Sequence, residues 1–371
     1  MPKRFYTFNI LFFTFFLVSL SATAKSEKAE QSSPWIQTKM EDTSDVNQLM
    51  SLYKNVYLNS DDSIKEGLKY ILRAYLISKH INYKDGLIES AYLIGNNFYY
   101  NKNMSKAIDF HFIAWKLSKE KHDTIVEGKV LMSLGLVFYV QKNWKEAYSY
   151  FNKATVVLDK TNEDKRKNRI EYLKGLCLIE LSNNELANNL LNKAMQKAIQ
   201  LKDTNLVNEC NLGLAKVDYS LKKYDSSLAK YKLAQIFYEQ NKLSAPLAMI
   251  HEGKAKVYVA QNNLGEALKE SNRAYAYAGA TSYDLNLQEI TSLLSTIYYR
   301  LGDKDKAYKY LQELGRIKDS LFAQDVSEKV SMTNSNVEFE QREKSFEAEM
   351  ERNERRRNVA FAFVTILAIF I

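Results

Sequence analysis

The side chains best able to do chemistry in this 371-residue chain are four histidines and two cysteines. His80, His111, His122 and His251 occur singly, and "HEGKA" at His251 lacks the second histidine of a zinc-binding helix. No glycine loop has the spacing that cradles phosphate, and no nucleophile stands at a diagnostic spacing from a base. Cys177 and Cys210 could pair in an oxidising compartment. Two cysteines are too few for a disulfide framework, so buried free thiols are expected. The chemistry-bearing residues therefore point away from catalysis: neither enzyme activity nor a metal or cofactor is expected.

Composition says what must position these residues. Only 12 Gly and 3 Pro occur, while 46% of residues are hydrophobic and 26% charged, which describes a mostly helical body. The net charge of +8 is spread along the chain and not gathered into a block. It argues for solubility or contact with anionic surfaces, and not for nucleic acid.

An internal repeat with a period of 40 organises the body. Small residues recur at Gly95, Gly135, Gly175, Ala215, Ala255 and Ser295, and twelve positions on at Ala107, Ala147, Ala187, Ser227, Ala267 and Ala307. Seven further on stand Ala114, Ala154, Ala194, Ala234 and Ala274, with Leu314 in the last copy. A mostly larger residue separates the second and third series: His111, Phe151, Leu191, Tyr231, Ser271 and Leu311. His111 thus reads as a packed residue and not a ligand. Another bulky position follows the first series, at Phe98, Phe138, Leu178, Tyr258 and Tyr298, with Asp218 as the exception. A weaker upstream copy runs through Gly67, Ile71 and Ala74. Small side chains let two helices approach closely, so each unit reads as helix, turn, helix. Asn103, Asn143, Asn183, Asn263 and Asp303 are expected to cap the second helix. Stacked pairs would bury a continuous core. Asp218 and Ser271 imply looser packing or a local polar contact.

"LIGNNFYYNKNMSKAIDFHFIAWKL" and "SLGLVFYVQKNWKEAYSYFNKA" resemble the tetratricopeptide repeat, lengthened here from its usual 34 residues. The extra six fall where one unit passes to the next, as in "SKEKHDTIVEGKV". The resemblance implies an all-α solenoid, a right-handed superhelix whose first helices line a concave groove that binds protein or peptide. A stripe on those helices would face the groove: Glu89, Tyr92, Asn96 and Tyr99, then Lys129, Met132, Leu136 and Tyr139. It continues through Arg169, Tyr172, Leu176 and Ile179 to Tyr219 and Tyr299. Two readings of the tyrosines stay open, a ligand-binding surface or packing between units. The Lys/Asn carboxylate clamp of some relatives is not repeated.

The ends carry membrane signals. Residues 1–24 have the basic start, apolar run and A-x-A site of a secretory signal peptide, with an uncleaved anchor as the alternative. A linker over 25–45 leads to the array at 46–318, of about seven helix pairs. Residues 319–357 read as a charged helix, either solitary or pairing with a second copy through a weak stripe at Phe339, Phe346 and Met350. "RRRNVAFAFVTILAIFI" makes 358–371 a partial transmembrane helix. This order resembles the extracytoplasmic half of bacterial membrane-anchored regulators, which continue into a histidine kinase or helix-turn-helix output. It implies a periplasmic array held in the inner membrane. An envelope scaffold is the alternative.

Overall fold

The computed structural model describes residues 42–57, 63–279 and 284–323, with isolated positions from 326 to 362. The signal peptide, most of the linker, most of 319–357 and nearly all of the C-terminal segment lie outside them. The described residues form α1 (Thr43–Tyr57), α2 (Ser63–His80), α3 (Lys84–Tyr100), α4 (Met104–Glu120), α5 (Thr124–Val140), α6 (Trp144–Leu158) and α7 (Asp164–Glu180). There follow α8 (Asn184–Gln200), α9 (Thr204–Ser220), α10 (Tyr224–Gln240), α11 (Ser244–Ala260), α12 (Leu264–Gly279), α13 (Asp284–Arg300) and α14, described over 304–323. Odd-numbered helices are the first of each pair and even-numbered helices the second. No described helix is long and apolar enough to cross a membrane.

Most helices are 17 residues long and joined by three residues, so the two halves of the repeat are built alike. In "SKEKHDTIVEGKV" the chain ends α4, turns over 121–123 and begins α5. The extra residues relative to the 34-residue unit therefore lengthen helices and leave the loop short.

One turn recurs. Its second residue is left-handed, with φ between 54° and 61° at Asn82, Lys102, His122, Lys142, Ser182, Lys202, Lys222, Lys242 and Asn262. The amide of Lys102 donates to the Tyr99 carbonyl (3.0 Å) and that of Asn103 to the Phe98 carbonyl (2.8 Å), which closes the preceding helix. The third residue then opens the next helix. Asn103, Asn183, Asn263 and Asp303 accept from amides three residues on, whereas Asn143 makes no such bond. Asp123 and Asp203 do the same between units, a second capping series that the sequence reading missed. The link from Leu158 to Asp164 is longer and breaks the rule.

The pair contact combines small against small with bulky against bare backbone. Ser227 Oγ donates to the Ala215 carbonyl (2.7 Å) and Ser295 Oγ to the Ala307 carbonyl (2.9 Å), so the first two small series meet at backbone distance. A Cβ on Gly95 would lie 2.6 Å from the His111 ring. On Gly135 it would lie 2.4 Å from Phe151, and on Gly175 2.7 Å from Leu191. Each bulky residue thus seats where its partner helix has no side chain. The third series, Ala114 to Ala274, is fully buried. Beyond it the two helices exchange aromatic rings, Phe98 with Phe110 (5.9 Å), Phe138 with Tyr150 (5.2 Å) and Tyr298 with Tyr310 (5.5 Å). In the fifth unit the same two positions hold Asp218 and Lys230, which form an ion pair, and Ser226 Oγ donates to Asp218 (2.6 Å). Asp218 therefore marks a local polar contact. Ser271 is fully buried, and its hydroxyl has no hydrogen-bond partner among the described residues.

A side chain in the left-handed region is strained, and the same turn is made by Gly302 at φ 84°. Lys222→Gly should therefore stabilise the array by up to about 1 kcal/mol, the relief of strain exceeding the added chain entropy. Urea unfolding checks this; a loss of stability would show that the left-handed lysines are not strained.

Candidate functional site

Successive first helices, α1 with α3 through to α11 with α13, touch one another directly, while successive second helices make no comparable contact. The first helices therefore form the inner face of the stack. The expected stripe lies along them.

Its charged members are paired between units. Glu89 meets Lys54 of α1 (3.4 Å) and Lys129 of α5 (3.9 Å). Arg169 of α7 pairs with Glu209 of α9, and Lys256 of α11 lies 2.8 Å from Glu289 of α13 and 2.5 Å from Glu252. Glu89, Lys129, Arg169, Glu209 and Glu289 occupy one repeat position, a column of charges interrupted by Met249. The order leaves two cations, Lys129 and Arg169, in neighbouring units. Their electrostatic attraction is modest because the side chains are partly solvated.

The tyrosines lie over the pair contacts. Tyr92 is half-buried, 5.7 Å from the His111 ring, with Lys129 Nζ 3.9 Å above its centroid. Tyr99 packs edge-on against Tyr100 at 5.3 Å, and Tyr139 against Trp144 at 4.9 Å. Tyr172 lies under Arg169 (5.6 Å), and burial pushes its hydroxyl pKa up. Asn96, Met132, Leu136, Leu176, Ile179 and Tyr219 are half-buried, and Tyr299 stands 69% exposed. The rings of Tyr92, Tyr99, Tyr139 and Tyr172 thus make packing contacts with neighbouring side chains, and that of Tyr299 does not share their burial.

Of the residues with chemical potential, His80 and His122 are exposed and stand alone, while Cys177, Cys210, His111 and His251 are closed off. Cys177 and Cys210 are free and buried, and burial pushes both thiols up to about 12. His251 stacks on Tyr277 (5.5 Å) and lies 2.5 Å from Glu270, which also meets Lys254 (3.1 Å). Burial alone would raise the Glu270 pKa, but its hydrogen bond from His251 and the Lys254 charge bring it down to about 2. His251 and Glu270 are 1% and 3% exposed, too enclosed to meet a substrate. His111 is likewise buried, as its place in the repeat predicts.

No protein-family model and no curated protein matches the chain. Solved structures do. The apo form of RapI superposes with a TM-score of 0.57 at 13% identity, over 74% of this chain and 99% of that one. A tetratricopeptide repeat protein from Parabacteroides merdae gives 0.53 at 12%, over 74% and 93%. The fold is that of a tetratricopeptide-repeat solenoid. The same fold is found in NprR in complex with its cognate peptide NprX, with a TM-score of 0.54 at 16% identity over 73% of this chain and 77% of that one.

Within the solenoid, burial holds His111 neutral and pushes its pKa down from 6.5 to about 3. The unfolded chain therefore binds this proton at a higher pH than the folded one. Stability is fully present above pH 6.5 and is lost as pH falls from there toward 3, by about 1.4 kcal/mol per pH unit. His111→Phe, the residue of the next unit at Phe151, should remove about 2 kcal/mol of the stability difference between pH 7 and pH 5. Urea midpoints at the two pH values read it; an unchanged difference would place His111 in contact with solvent.

Proposed function

We propose that the array is a non-catalytic protein- or peptide-binding module whose inner face receives an extended segment. The observation that carries this is the direct contact between first helices, which leaves one continuous face bearing Tyr92, Tyr99, Tyr139, Tyr172, Tyr219 and Tyr299 among paired charges. Aromatic rings held at their edges by packing give contact area at small entropic cost, and their hydroxyls offer polar contacts to a peptide backbone. The occurrence of the fold in a complex of NprR with a peptide supports the same use.

We further read the module as the periplasmic sensing part of a membrane-anchored signal-transduction or transcription-regulatory protein. The support is in the ends of the sequence: a leader with an A-x-A site at Ala22 and Ala24, and an apolar segment over 358–371, although the arginines at 355–357 before it run against the positive-inside tendency. In this reading 319–357 links the array to the inner membrane and pairs with a second copy, and no nucleic acid is contacted by this portion.

The test is peptide affinity. A peptide selected from a display library against the purified array should bind Tyr139→Ala and Tyr299→Ala about tenfold or more weakly than wild type, with helix content unchanged by circular dichroism. Full affinity in both variants would make the tyrosines packing residues and remove the inner-face reading.

A further inference from the structure

A second surface lies on the opposite side of the stack. Between α4 and α6, which are consecutive second helices, a groove of about 620 Å³ opens over α5. Its floor is Leu131, 1% exposed, and its walls are Trp115, Tyr148 and Val157, all half-buried. Trp115 is fixed in place: its Nε1–H donates to Glu127 (3.1 Å) and its ring meets Phe112 at 5.8 Å. Glu127 is the acidic residue of the lining, and this bond engages it. The rim carries Lys119, Lys145 and Lys153, which pair with no carboxylate among the described residues, and Val156 stands 76% exposed between them.

The repeat supplies its own reference. Forty residues on, Trp115 becomes Thr155, Tyr148 becomes Asn188, Val156 becomes Gln196 and Lys145 becomes Glu185. The fold therefore demands neither the apolar walls nor the cationic rim at these positions. Lys119 lies over the Trp115 ring (5.7 Å) and Lys153 over the Tyr150 ring (4.4 Å), contacts that leave their ammonium groups without a carboxylate. An exposed valine beside a tryptophan slot and three such cations is the complement of an apolar side chain carried on an acidic segment.

We propose that this outer groove docks an acidic amphipathic helix of a partner protein, its apolar side chains entering between α4 and α6 and its carboxylates meeting Lys119, Lys145 and Lys153. The site is separate from the inner face. An anionic membrane fits less well, because a flat bilayer reaches the crest at Val156 but not the floor at Leu131.

The probe is a fluorescein-labelled helical peptide with leucine along one face and glutamate elsewhere, followed by anisotropy with the full chain. Saturable binding is expected, weakened about tenfold or more by Lys119→Glu with Lys153→Glu, and similarly by Val156→Glu. The counterpart with lysine for glutamate should not bind. Tyr139→Ala and Tyr299→Ala should leave binding unchanged, which keeps this result independent of the inner face. All three groove substitutions are at exposed positions, and circular dichroism verifies their folding. The proposal is overturned by absent binding to wild type, by equal binding to the groove variants, or by phosphatidylglycerol vesicles losing affinity for those variants while the peptide does not.

Discussion

The array depends on a steric match made in three successive helix pairs: a glycine on the first helix, and a bulky residue on the second that occupies the space left. Gly95 under His111, Gly135 under Phe151 and Gly175 under Leu191 are the same contact made with three different side chains. Fully burying such a side chain contributes about 1.5–3 kcal/mol, and it can be collected only where no Cβ stands in the way. Neighbouring pairs close up along their first helices, and the inner face follows from that contact.

The turns hold this match in register. A 17-residue helix and a three-residue connection repeat at both junctions, so each helix presents the same face to its neighbour. Left-handed lysines at half of these turns are a local cost accepted by a sharp reversal, since the closing hydrogen bonds and the following cap form around that conformation. The exception at 159–163 falls between the third and fourth pairs, beside the change of sign pattern from Glu89–Lys129 to Arg169–Glu209.

Much of this was legible in the sequence because side-chain size is conserved by geometry at a fixed period. The small series, the seated bulky residue and most of the caps follow from residue type and spacing alone. The left-handed turn residues did not show, because lysine gives no turn signal. Asp218 showed only as an irregularity, and its meaning required seeing Lys230 at the position where other units place the second ring. Of the inner face, the stripe was legible but its pairing was not, since Glu89 and Lys129 are read as separate surface charges until the first helices are seen to touch. The outer groove was invisible, because Trp115, Leu131 and Val156 belong to three helices.

The most direct measurement is a double-mutant cycle between Gly135 and Phe151, using Gly135→Ala, Phe151→Leu and the combination, with stability read by urea unfolding. If the bulky residue is seated on bare backbone, adding a methyl at 135 should cost more against phenylalanine than against leucine, with a coupling energy of about 1 kcal/mol or more. Additive effects within about 0.3 kcal/mol would contradict the account, and the pair contact would have to rest on something other than this fit.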